Sequence, residues 1–450
     1  MVKISKRPHT ANDAKLVNSF FAGIGGFDLA FEKHGFESAF YCENNDFCRS
    51  VLKRHWPKVA NADDIQKLDA KDIPAANVWT AGFPCQDLSL ARTPHGKRNG
   101  LKGTQSGLFY TFLDLLSVHK PPVVLLENVA GLLNSHGGAD FNALISSLTN
   151  LGYAVAWRVL NARYFGAPQS RPRVFICAWR DSPANAVKAL FESQIASKPK
   201  NERHGFMMES RCSESGISVP QVSFCISATS GRHTGLDWAR SYVTYPDAVR
   251  RLTPLECERL QGLPENWTLP DKDYVVPIRG IETNRYHAIG NAVCVPVVQW
   301  VAGRVSTILQ TPNDEVTKST IKKQLQNLAA AFLSSKSEVQ ELLVASGDSK
   351  WKSGGIAYKN WCVTTAVSSS PVVAVPSRFI DVIEKKKVHE RYFLSANAVQ
   401  GILRRVDKLG RHLFPPLDAV LRKVAVPSSV SSDEALEAQE SARCRELVAL

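Results

Sequence analysis

The feature that most constrains the fold of this chain is a series of four short apolar segments, each ending beside residues suited to binding or catalysis. The segments cover residues 16–21, 38–42, 78–81 and 123–126, and they lead respectively to a glycine turn, Glu43, Cys85 and Glu127. Helical patterns separate them, which predicts parallel β-strands in an α/β fold. Because the carboxyl ends of parallel strands share one edge of a sheet, we expect Glu43, Cys85 and Glu127 to lie close together.

Cys85 is the candidate nucleophile on this edge. Gly82 permits a tight exit from the preceding strand and Pro84 fixes its own φ, so the sulfur is expected at the strand's carboxyl end. Taken alone, a cysteine is more often a small buried hydrophobe. The assignment of Cys85 as a reactive thiol therefore depends on the other groups that point to the same edge.

A polar stretch punctuated by glycines follows Cys85 over residues 86–107 and contains Lys97, Arg98 and Lys102. This composition predicts a mobile loop that closes over a polyanionic substrate. The ordinary alternative is an idle flexible loop, and the adjacency to Cys85 favours the first interpretation.

The glycine turn at residues 22–26 and Glu43 have the spacing of a βαβ site in which an acid binds ribose hydroxyls. The glycine pattern is incomplete, and a tight turn with a solvated acid explains it equally well. Arg171 and Arg173, on either side of Pro172, also have two possible interpretations. They are either solvated loop charges or site residues, since a guanidinium can hydrogen-bond an acceptor oxygen and a carboxylate together.

Composition favours a polyanionic partner. The chain has 450 residues, a formal net charge of +13 and a sequence pI of about 9.2. No apolar run approaches membrane-spanning length and residues 1–15 hold no apolar targeting segment, so we expect no membrane association. The ten cysteines show neither a C-x-x-C pair nor zinc-finger spacing, which predicts a reducing cytoplasmic compartment and no metal site.

Six stretches, taken in order over residues 16–309, resemble the motifs of the cytosine-5 DNA methyltransferases. They are Phe21-Ala22-Gly23-Ile24-Gly25-Gly26, Gly82-Phe83-Pro84-Cys85-Gln86, Glu127-Asn128-Val129, Gln169-Ser170-Arg171-Pro172-Arg173, residues 251–264 and residues 290–296. Each stretch alone is modest evidence. Six of them in the order of the family make chance agreement negligible.

The resemblance implies a Rossmann-like S-adenosylmethionine-dependent methyltransferase fold with a small target-recognition region and a C-terminal extension. The implied divisions are an N-terminal tail (1–15), a catalytic domain (16–180), the target-recognition region (181–249), a return to the catalytic domain (250–311) and an accessory domain (312–450). The implied cofactor is S-adenosyl-L-methionine, and its implied binding residues are Phe21, Gly23, Gly25, Glu43, Asp64, Ile65, Asn291 and Val293.

The resemblance also implies the chemistry. Cys85 would add to carbon 6 of an extruded cytosine, Glu127 would protonate ring nitrogen 3, and Arg173 would hold the carbonyl oxygen, with Arg171 supporting the nucleophile or a nearby phosphate. The implied partner is double-stranded DNA, bound by a monomer in the cytoplasm of a bacterium or a phage-infected cell, with a cognate restriction endonuclease as a possible second partner. For residues 312–450 we expect DNA contact or packing, on the basis of Lys385 to Lys387 and of Arg404 with Arg405.

Three other functions compete with this one. The first is an enzyme of the same fold that methylates transfer RNA. It is disfavoured because Phe83 before Pro84-Cys85 is typical of the DNA-type motif and because residues 181–249 fit the recognition of a duplex. A DNA-binding regulator with an inactive methyltransferase fold is disfavoured because Cys85, Glu127, Arg171 and Arg173 are all present. A nicotinamide-dependent oxidoreductase depends only on the glycine turn and Glu43.

Overall fold

The structure is a computed structural model that describes residues 15–83, 107–193, 204–231, 237–311, 319–334, 336–342, 351–386 and 388–425. In chain order, the strands of these ranges are β1 (Lys15–Phe20), β2 (Phe36–Cys42), β3 (Ala60–Ala62), β4 (Val78–Ala81), β5 (Val123–Val129), β6 (Tyr153–Asn161), β7 (Pro172–Arg180), β8 (Glu209–Arg211), β9 (Ser218–Pro220), β10 (Tyr242–Thr244), β11 (Val249–Arg251), β12 (Gln340–Glu341), β13 (Gly354–Tyr358) and β14 (Trp361–Thr365).

The α-helices of the same ranges are α1 (Gly26–Glu32), α2 (Asp46–His55), α3 (Gly107–His119), α4 (Ala139–Asn150), α5 (Pro183–Leu190), α6 (Pro254–Gln261), α7 (Glu282–Asn291), α8 (Val295–Gln310), α9 (Ile321–Phe332), α10 (Phe379–Val382), α11 (Ala396–Lys408) and α12 (Pro415–Ala425). The residues Thr253-Pro254-Leu255-Glu256 predict a helix start, and the structure confirms it: Thr253 and Glu256 form a reciprocal capping box with Pro254 in the first turn of α6.

Ten of these strands form one central sheet in the order β12-β14-β13-β6-β7-β5-β4-β1-β2-β3. Strands β1 to β5 run parallel, as predicted from the four apolar segments, and β7 lies antiparallel between β5 and β6. Helices α1, α2, α5, α8 and α9 cover one face of the sheet, and α3 and α4 cover the other. The central strands are buried on both faces, which explains why their sequences are continuously apolar. The α/β fold class is confirmed.

A second, four-stranded antiparallel sheet has the order β11-β10-β9-β8 and spans residues 209–251, mostly within the region predicted for target recognition. We call it the recognition sheet. Helix α5 lies within residues 181–249, which were predicted for target recognition, and it packs on β6, β7 and α8 of the catalytic part. Its apolar side chains, among them Val187 and Leu190, are fully buried in the core on that face of the central sheet.

The part of the chain after residue 312, expected to be an accessory domain, divides between the two sheets. Strand β13 pairs antiparallel with β6 and brings β14 and β12 with it, whereas α10 to α12 pack against the recognition sheet. The approach of β13 to β6 requires Gly355, because a Cβ there would lie 2.2 Å from a ring carbon of Trp157. The predicted boundary at Pro312 falls outside the described residues, and the domain division stays a prediction.

In the described ranges, no single helix is long and apolar enough to cross a membrane. Helices α7 and α8 reach that length and apolarity only when taken together, and they are bent by 41° relative to each other.

Candidate active site

A cleft of about 420 Å³ opens at the carboxyl ends of the parallel strands. Its walls come from both stretches of the catalytic part, residues 16–180 and 250–311. Its described lining residues are Phe21, Gly23, Glu43, Asn44, Asn45, Cys48, Gly82, Phe83, Leu108, Glu127, Asn128, Val129, Arg171, Arg173, His287, Ala288, Gly290 and Asn291. The strand ends that the sequence predicted to meet, at the glycine turn, Glu43 and Glu127, therefore border one space. Cys85 lies outside the described residues.

One end of the cleft is formed by the glycine turn and Glu43. Phe21 and Gly23 have positive φ values of 51° and 56°, which turn the chain sharply after β1. The Gly23 N–H donates to Glu43 Oε2 at 2.8 Å, and the Asn45 N–H donates to Oε1 at 2.8 Å. Burial raises the pKa of Glu43, while these backbone donors oppose the rise. Each carboxylate oxygen retains a lone pair that can accept from a ligand hydroxyl.

The other predicted cofactor residues do not all reach the cleft. Asn291 lines it, and Asp64 borders an adjoining cavity that shares Asn44 and Leu108 with it. Ile65 is buried in the core beneath α3, and Val293 is buried against Gly26. Gly25 begins α1 with a φ of 77° beneath the Trp56 ring, where a Cβ would lie 2.3 Å from it. The side chains of Ile65 and Val293, and Gly25 itself, therefore support the site from behind.

The other end of the cleft holds a buried ion pair. Glu127 belongs to β5, and Val129, two residues on, lies opposite Arg173 of the antiparallel neighbour β7. This pairing brings Arg173 Nε to 3.2 Å from Glu127 Oε1. Burial raises the pKa of Glu127, and the charges of Arg173 and Arg171 partly offset the rise. A carboxyl group in this position can hold a proton for transfer and is oriented by its arginine.

Arg171 is surrounded by backbone carbonyl groups rather than by solvent. Its side chain is buried, and its guanidinium donates to the carbonyl oxygens of Ile226 (2.8 Å), Gly290 (3.1 Å) and Ala292 (2.8 Å). Arg171 lies just before β7. It therefore connects that strand to Ile226, in the region predicted for target recognition, and to the C-terminal end of α7. Arg171 Nε has no hydrogen-bond partner among the described residues.

Asn128 is a site residue to which the sequence assigned no role. Its Nδ2 donates to the Phe83 carbonyl at 2.9 Å, and its Oδ1 accepts from the Val129 N–H at 2.8 Å. Phe83 is two residues before Cys85, so this buried amide connects the acid motif on β5 to the segment leaving β4. The sequence shows the adjacency of Asn128 to Glu127, but not the strand pairing that gives Asn128 its partner.

Two further residues near the cleft were not identified from the sequence. Cys225 Sγ lies 3.4 Å from Arg171 Nη1 and 3.8 Å from Arg173 Nη2. His287 is exposed on α7 and lies one turn before Asn291. Neither belongs to a motif, and both come to the site through long-range packing that no local pattern encodes.

The fold and the cleft together define an α/β protein with a cleft at the carboxyl ends of its parallel strands and an acid–arginine ion pair within that cleft. A model of the C-5 cytosine-specific DNA methylase family matches residues 16–213 and 207–307. The chain therefore belongs to this family and is a DNA (cytosine-5-)-methyltransferase.

The relatives found by sequence include bacterial type II methyltransferases. The type II methyltransferase M2.BsuMI of Bacillus subtilis is 32% identical over 304 residues, which cover 64% of this chain and 75% of the relative. M.MspI of Moraxella sp. is 30% identical over 337 residues, covering 70% and 76% of the two chains. The crystal structure of S. pombe Dnmt2 methyltransferase superposes with a TM-score of 0.48 at 20% identity, over 66% of this chain and 99% of that one.

Proposed function

We propose that this enzyme methylates carbon 5 of cytosine within a specific double-stranded sequence, using S-adenosyl-L-methionine and a transient bond between Cys85 and carbon 6 of an extruded base. The observation that carries the proposal is the single cleft shared by Glu43, Glu127, Arg173 and the exit of β4 toward Cys85. Four groups from distant parts of the chain border one space of a size that suits a base and a cofactor together.

The cofactor end of the cleft fits S-adenosyl-L-methionine. Glu43 is buried but keeps lone pairs for two ribose hydroxyls, and a Cβ on Gly23 would meet nothing within 4 Å, so there is open space above the turn. No lysine or arginine lies among the described lining residues at this end, which suits a cofactor without phosphate. Phe21, Gly23 and Asn291 would border it, with Asp64 reaching the adenine from the adjoining cavity, and Gly25, Ile65 and Val293 supporting these residues.

The chain's own residues would carry out the activation of the base. Addition of the Cys85 thiolate to carbon 6 moves electrons onto ring nitrogen 3 and the carbonyl oxygen. Protonated Glu127 would donate its proton to nitrogen 3, and Arg173 would stabilise the oxygen, leaving an enamine whose carbon 5 is nucleophilic. When bound, S-adenosyl-L-methionine supplies the methyl group that carbon 5 accepts. Transfer of the carbon 5 proton to a water molecule then expels the Cys85 thiolate, and nitrogen 3 returns its proton to Glu127, which restores the aromatic ring and the acid.

Access to the base requires its removal from the duplex. Carbon 6 is shielded by stacking, and extrusion costs a few kcal/mol, which contacts with the duplex must offset. The closing loop was predicted over residues 86–107, of which residues 86–106 lie outside the described residues. Arg171 would act as a positioning residue, because its contacts with Ile226 and Gly290 hold the region predicted for target recognition against the catalytic part.

The remaining assignments complete the proposal. The enzyme would act as a monomer on double-stranded DNA in the bacterial cytoplasm, encoded by the bacterium or a phage. M2.BsuMI and M.MspI are both named type II methyltransferases, and on that ground a cognate restriction endonuclease is proposed as a partner.

Covalent trapping tests the mechanism. Incubation with S-adenosyl-L-methionine and duplex DNA containing 5-fluorocytosine should give an adduct that resists denaturation, because fluorine at carbon 5 cannot leave as a proton does. The adduct should be absent with Cys85→Ser and with a transfer RNA substrate. Retained DNA binding without an adduct from the wild-type enzyme would contradict the proposal, and so would an adduct formed only on transfer RNA. Bisulfite sequencing of DNA from cells expressing the chain would identify the methylated sequence.

A further inference from the structure

Helix α11 presents a polar face that the catalytic proposal does not use. Its buried side is formed by Val399, Ile402, Leu403 and Val406, which pack in one core with Tyr242 and Val249 of the recognition sheet. The opposite side carries Asn397, Gln400, Arg404 and Lys408 at helical spacing, and all four are exposed. Within the part of the chain that the structure describes, none of these four side chains has a hydrogen-bond or ion-pair partner. We call these four residues the outer face of α11.

The helix is fixed to the recognition sheet by more than apolar packing. Arg405 forms an ion pair at 2.8 Å with Asp237, whose side chain is fully buried. The backbone N–H of Leu394, just before the helix, donates to the carbonyl of Val249 on β11 at 2.9 Å. The outer face therefore keeps a defined position relative to β10 and β11.

The same contacts set the charge of this surface. Arg405 is neutralised by Asp237, and Arg422 of α12 forms ion pairs with both Asp407 and Asp418. Asp407, which precedes Lys408 on α11, is thus already paired. Arg404 and Lys408 retain their positive charges on a fixed helix, beside two amide side chains.

Other basic side chains lie around the recognition sheet. Arg411 lies just beyond the end of α11, and its guanidinium carbon is 5.7 Å from the centre of the Trp238 ring. This contact holds the Arg411 guanidinium beside the turn between α11 and α12. Lys385 and Lys386 are exposed beside Tyr245 and Phe393, at the other end of the recognition sheet. Asp237, Asp407 and Asp418 form internal ion pairs, whereas Arg404, Lys408, Lys385 and Lys386 are exposed, with Glu390 bordering the same cavity as the last two.

We propose that α11 is a DNA-contacting element, whose outer face lies on the phosphate backbone of the duplex that flanks the target base. Phosphate is the chemistry that matches spaced arginine and lysine charges with amide donors between them, and it is the charged group that a DNA substrate presents along its whole length. The proposal rests on DNA being the substrate of the enzyme. It makes the chain after residue 312 part of the DNA-binding surface, attached to the recognition sheet.

The test measures equilibrium binding of a synthetic DNA duplex at several salt concentrations by the full-length enzyme and by Arg404→Ala/Lys408→Ala. Loss of two phosphate contacts should weaken binding several-fold at low salt and reduce the slope of log affinity against log salt by about 2. Because phosphate contacts are independent of sequence, the expected effect is the same on duplexes with and without a methylation site. The charge-conserving variant Arg404→Lys/Lys408→Arg should restore the slope.

The matched control is Lys33→Ala/Lys58→Ala, which removes two exposed lysines in the turns before β2 and β3, at the edge of the sheet opposite the cleft. It should bind DNA as the wild type does. Equal affinity and salt slope for Arg404→Ala/Lys408→Ala and wild type would overturn the proposal, as would equal losses in the control. Trapping on 5-fluorocytosine is read separately, so failure of the covalent mechanism is distinguishable from failure of this surface.

Discussion

Glu127 illustrates how opposing electrostatic effects act on a single residue. Its carboxyl group is 8% exposed, and removal from water favours the neutral acid. The guanidinium of Arg173, 3.2 Å away, and the charge of Arg171 favour the anion, but burial is the larger effect and the pKa is raised. A general acid benefits from this balance, because a larger fraction of the group keeps its proton near neutral pH.

Replacement of Glu127 tests this role. Glu127→Gln is expected to lower the single-turnover rate of methyl transfer by about 10²–10⁴-fold, since the amide has no acidic proton to transfer. For the wild type, the rate should fall as pH rises through the raised pKa of Glu127, and the variant should lack that fall. The control Glu265→Gln alters an exposed ion pair with Arg259 far from the cleft and should leave the profile unchanged. A variant with wild-type rates at every pH would exclude Glu127 as the acid.

Asp28 is a second buried acid, and it affects stability. Its Oδ1 accepts from Ser19 Oγ at 2.9 Å and from Ser38 Oγ at 3.0 Å, while Oδ2 has no partner among the described residues. Burial raises the pKa of Asp28 to about 6. Because the folded-state pKa is above the unfolded value, the proton stabilises the fold at low pH, and this contribution is lost as pH rises through about 6.

Asp28→Asn should therefore flatten the dependence of stability on pH. Between pH 4 and pH 7 the wild type is expected to lose on the order of 3 kcal/mol that the non-titrating amide keeps. The measurement is urea unfolding at both pH values, with the exposed Asp72→Asn as control. Identical pH dependence in Asp28→Asn and wild type would show that the raised pKa is not realised.

At the scale of elements, the active site depends on the pairing of β4, β5 and β7. The parallel pair β4–β5 places Asn128 beside Phe83, and the antiparallel pair β5–β7 brings Arg173 to Glu127. One strand thus positions both the acid and the segment that leads to the nucleophile. Two adjacent residues of β5 serve these two functions because their side chains point to opposite faces of the strand.

Asn128→Ala should separate positioning from binding. The substitution leaves the Phe83 carbonyl and the Val129 N–H without their side-chain partner. The exit of β4 then loses the hydrogen bond that holds it to β5. Adduct formation on 5-fluorocytosine DNA is expected to slow by about 10²-fold, a typical effect of a displacement near 1 Å. The dissociation constants for S-adenosyl-L-methionine and DNA should change little. A parallel loss of cofactor affinity and thermal stability, with an unchanged rate for the bound complex, would indicate a purely structural role.

At the scale of the whole molecule, the chain after residue 312 holds two sheets together. Strand β13 covers the free edge of β6, and residues 368–370 supply carbonyl oxygens to Arg158, which is 3% exposed. A buried guanidinium without such partners is strongly destabilising, by about 3–5 kcal/mol. The segments that follow, α10 to α12, complete the hydrophobic cores against the recognition sheet.

Truncation after residue 311 is therefore expected to abolish soluble folding. The deletion would expose the edge of β6 and the Trp157 ring and would leave Arg158 without two of its carbonyl partners. The measurement is the soluble, monodisperse fraction in size-exclusion chromatography, with Arg404→Ala/Lys408→Ala as a full-length control that should remain folded. A folded and active fragment of residues 1–311 would contradict this expectation.

Much of the catalytic part could be predicted because its signals are local. The parallel strands β1, β2, β4 and β5 lie within three residues of the predicted bounds, and the capped start of α6 was found as expected. The role of Arg171 could not be found this way, because its partners Ile226, Gly290 and Ala292 are 55 to 121 residues away. Val293 lies within a motif and Ile65 was assigned by the family resemblance, but the burial of both side chains depends on packing that a motif does not describe.

What the sequence determined by itself is the order of apolar strands and the polar residue at the end of each, because strand periodicity and turn chemistry act over a few residues. Tertiary structure alone decided which of those residues share a cleft, that Asn128 connects two motifs, and that strands from residues 354–365 complete the central sheet. These outcomes depend on contacts between distant segments, where backbone pairing and burial choose the partners.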